Sequence, residues 1–206
     1  MLAALVICGC NNTITKDFPN ITTQQIDSSA FPLLKDKFGL QDVFPAPEYL
    51  GGLTPKTPIA YAFADCLKCY EPSWQGGGLL CSCKQILIKK GQEYVLIRSK
   101  DELKAYHAPI SSSQEALSYA ALMGNVFPVF TQSFFRKEYR YMRKVSTSRV
   151  QHIDNYYIVQ LYEHKDFGCS HPYYSVLVKV LPNGDVEILR KEAAFEDPSE
   201  DGLCVD

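Results

Sequence analysis

Residues 173–188 read YYSVLVKVLPNGDVEI, and this stretch decides the fold. Tyr174, Val176, Val178 and Val180 alternate with Ser175 and Lys179, the two-residue period of a strand with one apolar face. Pro182-Asn183-Gly184-Asp185 follows, and Asn-Gly between two apolar runs is a strong signal for a tight hairpin. Val186 and Ile188 continue one face of the returning strand. Antiparallel β structure is therefore expected at the C-terminal end. Upstream, Tyr156–Tyr162 is a continuous apolar and aromatic run that suits a central strand. Glu138–Val150 reads as one long strand or two.

A helix should precede these strands. Ser112-Ser113-Gln114-Glu115 is a capping box, in which the serine hydroxyl accepts a backbone N–H and the glutamate reaches back. Leu117, Ala120 and Ala121 form an i, i+3, i+4 stripe, and Gly124 is expected to end the helix in a left-handed conformation. One helix laid across a four-strand antiparallel meander makes residues 111–206 an α+β domain. In outline this arrangement resembles cystatin-like folds, a resemblance of architecture that carries no function.

The first half of the chain is less regular. Residues 1–10 look like a signal segment, and 11–55 read as a polar tether followed by an irregular segment broken by Pro45, Pro47, Gly51, Gly52, Pro55 and Pro58. Within it, Phe31–Phe44 contains a stretch compatible with a short helix. Residues 56–110 form a Cys-rich hairpin region. There Lys84–Ile88 and Glu93–Arg98 are strand-like, with the turn between them at Lys89-Lys90-Gly91-Gln92. A second capping box, Ser99 to Glu102, opens a short helix to about Tyr106.

Four of the eight cysteines, Cys66, Cys69, Cys81 and Cys83, fall in this region. A strand at Lys84–Ile88 would project the Cys81 and Cys83 sulfurs to one side, so each should bond across the intervening loop rather than to the other. Three uses compete. Two disulfides could join Cys66 and Cys69 to Cys81 and Cys83. One zinc ion could be held by all four, although the spacing departs from ribbon patterns. A redox-active C-x-x-C would require a helix N-terminus after Cys69, which Tyr70-Glu71-Pro72 does not supply.

The compartment decides among them. Ile7-Cys8-Gly9-Cys10 closes an apolar run too short to span a bilayer. It resembles a bacterial lipobox, and the resemblance implies that Cys10 is the lipidated first residue of a mature envelope protein held to the membrane by its lipid. Six cysteines would then remain, including Cys169 and Cys204. An even number in an oxidising compartment favours a disulfide framework. The last bridge is expected between Cys169 and Cys204, because the final hairpin brings the tail back toward Cys169.

Other groups carry residue types suited to chemistry. His164, Cys169 and His171, with Glu163 and Asp166, have metal-ligand character, and Cys169 with His171 could form a nucleophile pair; a structural loop closed by the Cys169 bridge explains the same residues. Arg136, Lys137, Arg140, Arg143, Lys144 and Arg149 form a basic cluster interleaved with Phe134, Phe135, Tyr139 and Tyr141. It reads either as an anion-binding surface or as the solvated face of a charged strand. The formal charge of the whole chain is −2, so no global field draws it to nucleic acid, and no nucleic-acid partner is expected. The acidic run Glu196–Asp201 lacks the pattern of a calcium loop and reads as solvated. No nucleotide-binding glycine motif, paired-histidine zinc motif or Gly-x-Ser-x-Gly elbow is present, and no cofactor is implied. The expectation is a non-enzymatic, disulfide-stabilised module that binds a protein or small molecule or serves a structural role in the envelope. Zinc binding by the cysteine quartet, and then a Cys169–His171 enzyme, stand behind it.

Overall fold

The computed structural model describes residues 12–16, 18, 21–76 and 81–205. In chain order the elements are β1 (Asn12–Thr15), α1 (Phe31–Phe38), β2 (Asp42–Pro45), β3 (Ile59–Asp65), β4 (Ser82–Lys90), β5 (Glu93–Ile97), α2 (Lys100–His107), α3 (Ser113–Met123), β6 (Arg140–Tyr141), β7 (Val150–Ile153), β8 (Tyr156–His164), β9 (Tyr173–Val180) and β10 (Val186–Glu196). They make two antiparallel sheets, one of order β2-β3-β4-β5 and one of order β1-β7-β8-β9-β10-β6. The fold is α+β.

The helix α3 lies between the sheets. Ser112 caps it through the Glu115 N–H, and the Glu115 carboxylate accepts from the Ser111 N–H and hydroxyl. Every residue from Glu115 to Met123 is buried. One side of the helix meets Ile86, Ile88 and Ile97 of the smaller sheet; Val150, Val159, Leu161, Val176 and Val178 of the larger sheet complete the same core. Small side chains at Ala116, Ala120 and Ala121 allow both sheets to come close. The other face of the smaller sheet carries Ala60, Ala62, Ala64 and Leu87, packed with Leu34 of α1. The layers therefore run α1, small sheet, α3, large sheet.

Two local devices lock the helix in place. Gly52 packs so closely that an added Cβ would lie 2.2 Å from the Gln114 carbonyl oxygen, which only glycine avoids. Its N–H donates to Ser118 Oγ at 3.0 Å, and that hydroxyl donates to the Tyr49 carbonyl at 2.6 Å. At the other end, the Tyr119 hydroxyl donates 3.0 Å to the carbonyl of Gly184, in the β9–β10 turn.

Several expectations need correction. Glu138–Val150 is not a long strand: only Arg140–Tyr141 and, from Val150 on, β7 pair, and residues 142–149 instead cross the outer face of the larger sheet. Gly124 ends α3 in an extended conformation (φ −96°, ψ −179°), not a left-handed one. Ile188, which shares one face of the returning strand with Val186, is 57% exposed, whereas α3 packs over β7, β8 and β9. The segment read as tether and irregular chain contributes β1, α1 and β2. The expected α+β class holds, but the helix lies between two sheets, and the larger sheet has six strands where four were expected.

Candidate functional site

Strand β4 places Lys84 on the same side as Ile86 and Ile88, facing α3 at the level where that helix ends. The last carbonyls of a helix lack intrahelical partners, and its C-terminus carries partial negative charge. Lys84 Nζ answers both needs. It donates to the Leu122 carbonyl at 3.3 Å, the Gly124 carbonyl at 3.0 Å and Asn125 Oδ1 at 3.4 Å. It also lies 5.7 Å from the Tyr61 ring centre and 5.4 Å from that of Trp74, within cation–π range. Lys84 is only 7% exposed, and among the described residues no carboxylate pairs with it. Burial pulls its pKa down to about 7.

This ammonium forms part of the floor of a cleft of about 390 Å³. Tyr49, Tyr61 and Phe63 form one side; Trp74, Gly76 and Ser82 form another; Asn125, Val126 and Phe127 lead out of α3; Glu163, His164 and Asp166 stand at the rim. Burial holds the Tyr61 phenol well above its ordinary pKa, and the Tyr49 phenol is raised for the same reason. Both rings are thus neutral walls. The indole N–H of Trp74 donates 3.2 Å to the Met123 carbonyl, so the ring is fixed to the helix end. At the rim, Glu163 pairs with Lys191 at 2.7 Å, and His164 stands between Asp166 (2.8 Å) and Glu200 (3.2 Å). Because every N–H of Lys84 is directed to the chain itself, the cleft offers a buried positive charge and aromatic walls.

The cysteines clamp the wall that carries Trp74. Cys66 bonds Cys81 and Cys69 bonds Cys83, with Cα atoms 5.7 and 5.4 Å apart. All four quartet sulfurs are therefore used in disulfides, which leaves no thiolate for zinc or for redox exchange through Cys66-x-x-Cys69. Among the described residues no three His, Cys, Asp or Glu side chains are grouped to hold a metal ion. Comparison with protein families, with curated proteins and with solved structures found no match.

Cys169 bonds Cys204, with Cα atoms 4.1 Å apart. A sulfur in a disulfide cannot act as a nucleophile, so the Cys169–His171 pair is not a catalytic unit here. His171 instead holds the tail: Nδ1 lies 3.1 Å from the Lys165 carbonyl and Nε2 3.1 Å from the Leu203 carbonyl. His164 stacks on Tyr173 rather than joining His171 at a common ligand. The acidic run is also engaged, with Glu196 and Asp201 both paired to Arg140. Cys10 lies outside the described residues.

Sequence reasoning passed over Lys84, Trp74 and Tyr61. The available signal was Lys84 itself, a charge at an inward position of the run Cys83-Lys84-Gln85-Ile86-Leu87-Ile88. A charge on the apolar face of a strand marks either a buried pair or a site.

Proposed function

We propose that this chain is a lipid-anchored, disulfide-stabilised protein of a bacterial envelope that acts as a non-enzymatic binding module, taking a small ring-bearing carboxylate in the Lys84 cleft. The observation that carries the reading is a buried ammonium without an acidic partner, set among aromatic rings in a cavity of ligand size. A carboxylate would supply the missing charge, and a flat ring would stack on the aromatic side chains. Three disulfides favour an oxidising compartment. Ile7-Cys8-Gly9-Cys10 supports the anchor on Cys10. The helix across the β7-to-β10 meander supports a cystatin-like outline for residues 111–206, as architecture alone.

Trp74 is the single tryptophan of the chain, so its fluorescence reports the cleft directly. Benzoate and indole-3-carboxylate should change that emission saturably, and benzamide should not at equal concentration. Lys84→Met should abolish the response. Identical responses to acid and amide, or none to any of the probes, would remove the cleft as a carboxylate site. The anchor is tested separately by labelled palmitate: incorporation should be lost in Cys10→Ala, and incorporation that persists in that variant refutes lipidation at Cys10.

A further inference from the structure

A second hollow lies on the side of the larger sheet away from α3, and it is independent of the cleft. Strands β8, β9 and β10 present Gln160, Tyr162, Ser175, Arg190 and Glu192 on that face, and residues 142–149 cross above them. The crossing segment is pinned. The Met142 N–H donates 2.9 Å to the Ala194 carbonyl, Arg143 Nε donates 2.7 Å to the Ala193 carbonyl, and the Tyr162 hydroxyl donates 2.7 Å to the Ser146 carbonyl. At its far end the Arg149 carbonyl accepts from the Gln160 N–H at 2.9 Å. Between segment and sheet is a hollow of about 330 Å³.

Its charge is one-sided. Arg143, Lys144, Arg149 and Arg190 line it, against the single carboxylate of Glu192. That carboxylate is shared between Arg143 and Arg190. Among the described residues Lys144 and Arg149 have no acidic partner. This happens in a chain whose formal charge is −2, so the concentration of positive charge is local. Gln160 Nε2 donates 2.9 Å to Ser175 Oγ, which leaves the hydroxyl proton of Ser175 for another acceptor. Like charges gathered in a concave site repel one another, and an anion entering it relieves that repulsion.

The donor set also selects the anion. Guanidinium groups present paired N–H donors that match the oxygens of a phosphoryl group, and a phosphate monoester brings up to two negative charges on three oxygens. A monocarboxylate would leave most of the positive excess unanswered. A neighbouring hollow, lined by Arg136, Lys137 and Tyr141, shares Arg143 and Lys144 with the first, so the rest of a larger ligand has room beyond the phosphoryl group.

We propose that this hollow binds a phosphoryl group, carried either by a soluble phosphate ester or by a lipid headgroup. The test uses the disulfide-intact protein at low salt and inorganic pyrophosphate as the probe, followed by calorimetry, with vesicles containing phosphatidate, whose headgroup is a phosphate monoester, as a second arm and phosphatidylcholine vesicles as their control. Pyrophosphate should bind, with an affinity that falls as salt is raised. Arg149→Gln and Arg190→Gln should each weaken it at least tenfold. Lys35→Gln, which removes an exposed charge on α1, should leave it unchanged. Arg149 makes no side-chain hydrogen bond or ion pair among the described residues, so Arg149→Gln should retain the wild-type circular dichroism. Arg149-dependent binding of pyrophosphate without vesicle binding assigns a soluble ester. Arg149-dependent binding to the phosphatidate vesicles assigns a headgroup. The proposal is overturned if neither probe binds, or if Lys35→Gln weakens binding as much as Arg149→Gln does.

Discussion

Lys84 should make this protein more stable as the solution becomes mildly alkaline. An ordinary lysine titrates at 10.5, and Lys84 in the fold at about 7. The unfolded chain therefore binds more protons than the native one between those two values, and stability rises with pH across that window. At about 1.36 kcal/mol per pH unit, the full penalty on the charged amine is on the order of 5 kcal/mol, of which about 2 kcal/mol is relieved between pH 7 and pH 9. The window is chosen for its neighbours. Burial lowers the His107 pKa below its ordinary 6.5, so its contribution is complete by pH 7. Tyr61 and Tyr119, raised above their ordinary 10.0, act only at higher pH. Urea unfolding at 25 °C should show the midpoint rising by roughly 0.7–1 M from pH 7 to pH 9, for a slope near 2–3 kcal/mol per molar. In Lys84→Met the rise should vanish, although the variant loses donors to the Leu122 and Gly124 carbonyls, at about 1–3 kcal/mol. A rise of the same size in Lys84→Met, or a wild-type midpoint that falls, would refute the buried-amine account.

Cys169→Ser should remove about 4 kcal/mol by the loop-entropy relation and expose the tail after Glu200 to proteolysis, while His171 still holds the Leu203 carbonyl and the domain stays folded; limited digestion followed by mass spectrometry reads this. Gly52→Ala should be among the most damaging single changes, at roughly 3 kcal/mol or more, because its new methyl meets the α3 backbone at Gln114; a midpoint within about 0.5 kcal/mol of wild type would contradict that packing. Ser112→Ala should lower stability by about 1 kcal/mol through loss of the α3 cap, as measured by thermal unfolding.

The parts of the fold legible in the sequence were those written in local chemistry. The capping boxes at Ser99 and Ser112 mark where α2 and α3 begin, because the acceptor for an unpaired N–H has to be close in sequence. The alternation in β9 and the Asn183-Gly184 turn specify the last hairpin in the same way. Elements settled by distant partners were not legible. Residues 142–149 carry strand-like composition but bond to Ala193, Ala194 and Ser146's partner Tyr162 across a sheet face, a choice made by tertiary contacts. The short strands β1 and β2 are edge strands with too few residues for a period to show. The cleft is assembled from β3, β4, the loop at Trp74 and the end of β8, so no single spacing could announce it.

β1, the first strand among the described residues, lies at the edge of the larger sheet. Asn12–Thr15 pairs with Val150–Ile153, and the Thr15 hydroxyl reaches Ser113, 98 residues away. Closing so long a stretch of chain has to precede any reward from the pairing, and contacts of this separation slow folding. During synthesis, β1 emerges well before β7 and lacks its sheet partner until β7 has followed it. Its docking is then a late event, after the smaller sheet has had the chance to assemble from neighbouring segments. A label on residues 12–15 should accordingly gain hydrogen-exchange protection later than one on β4, and a chain truncated before Val150 should leave that first strand unprotected.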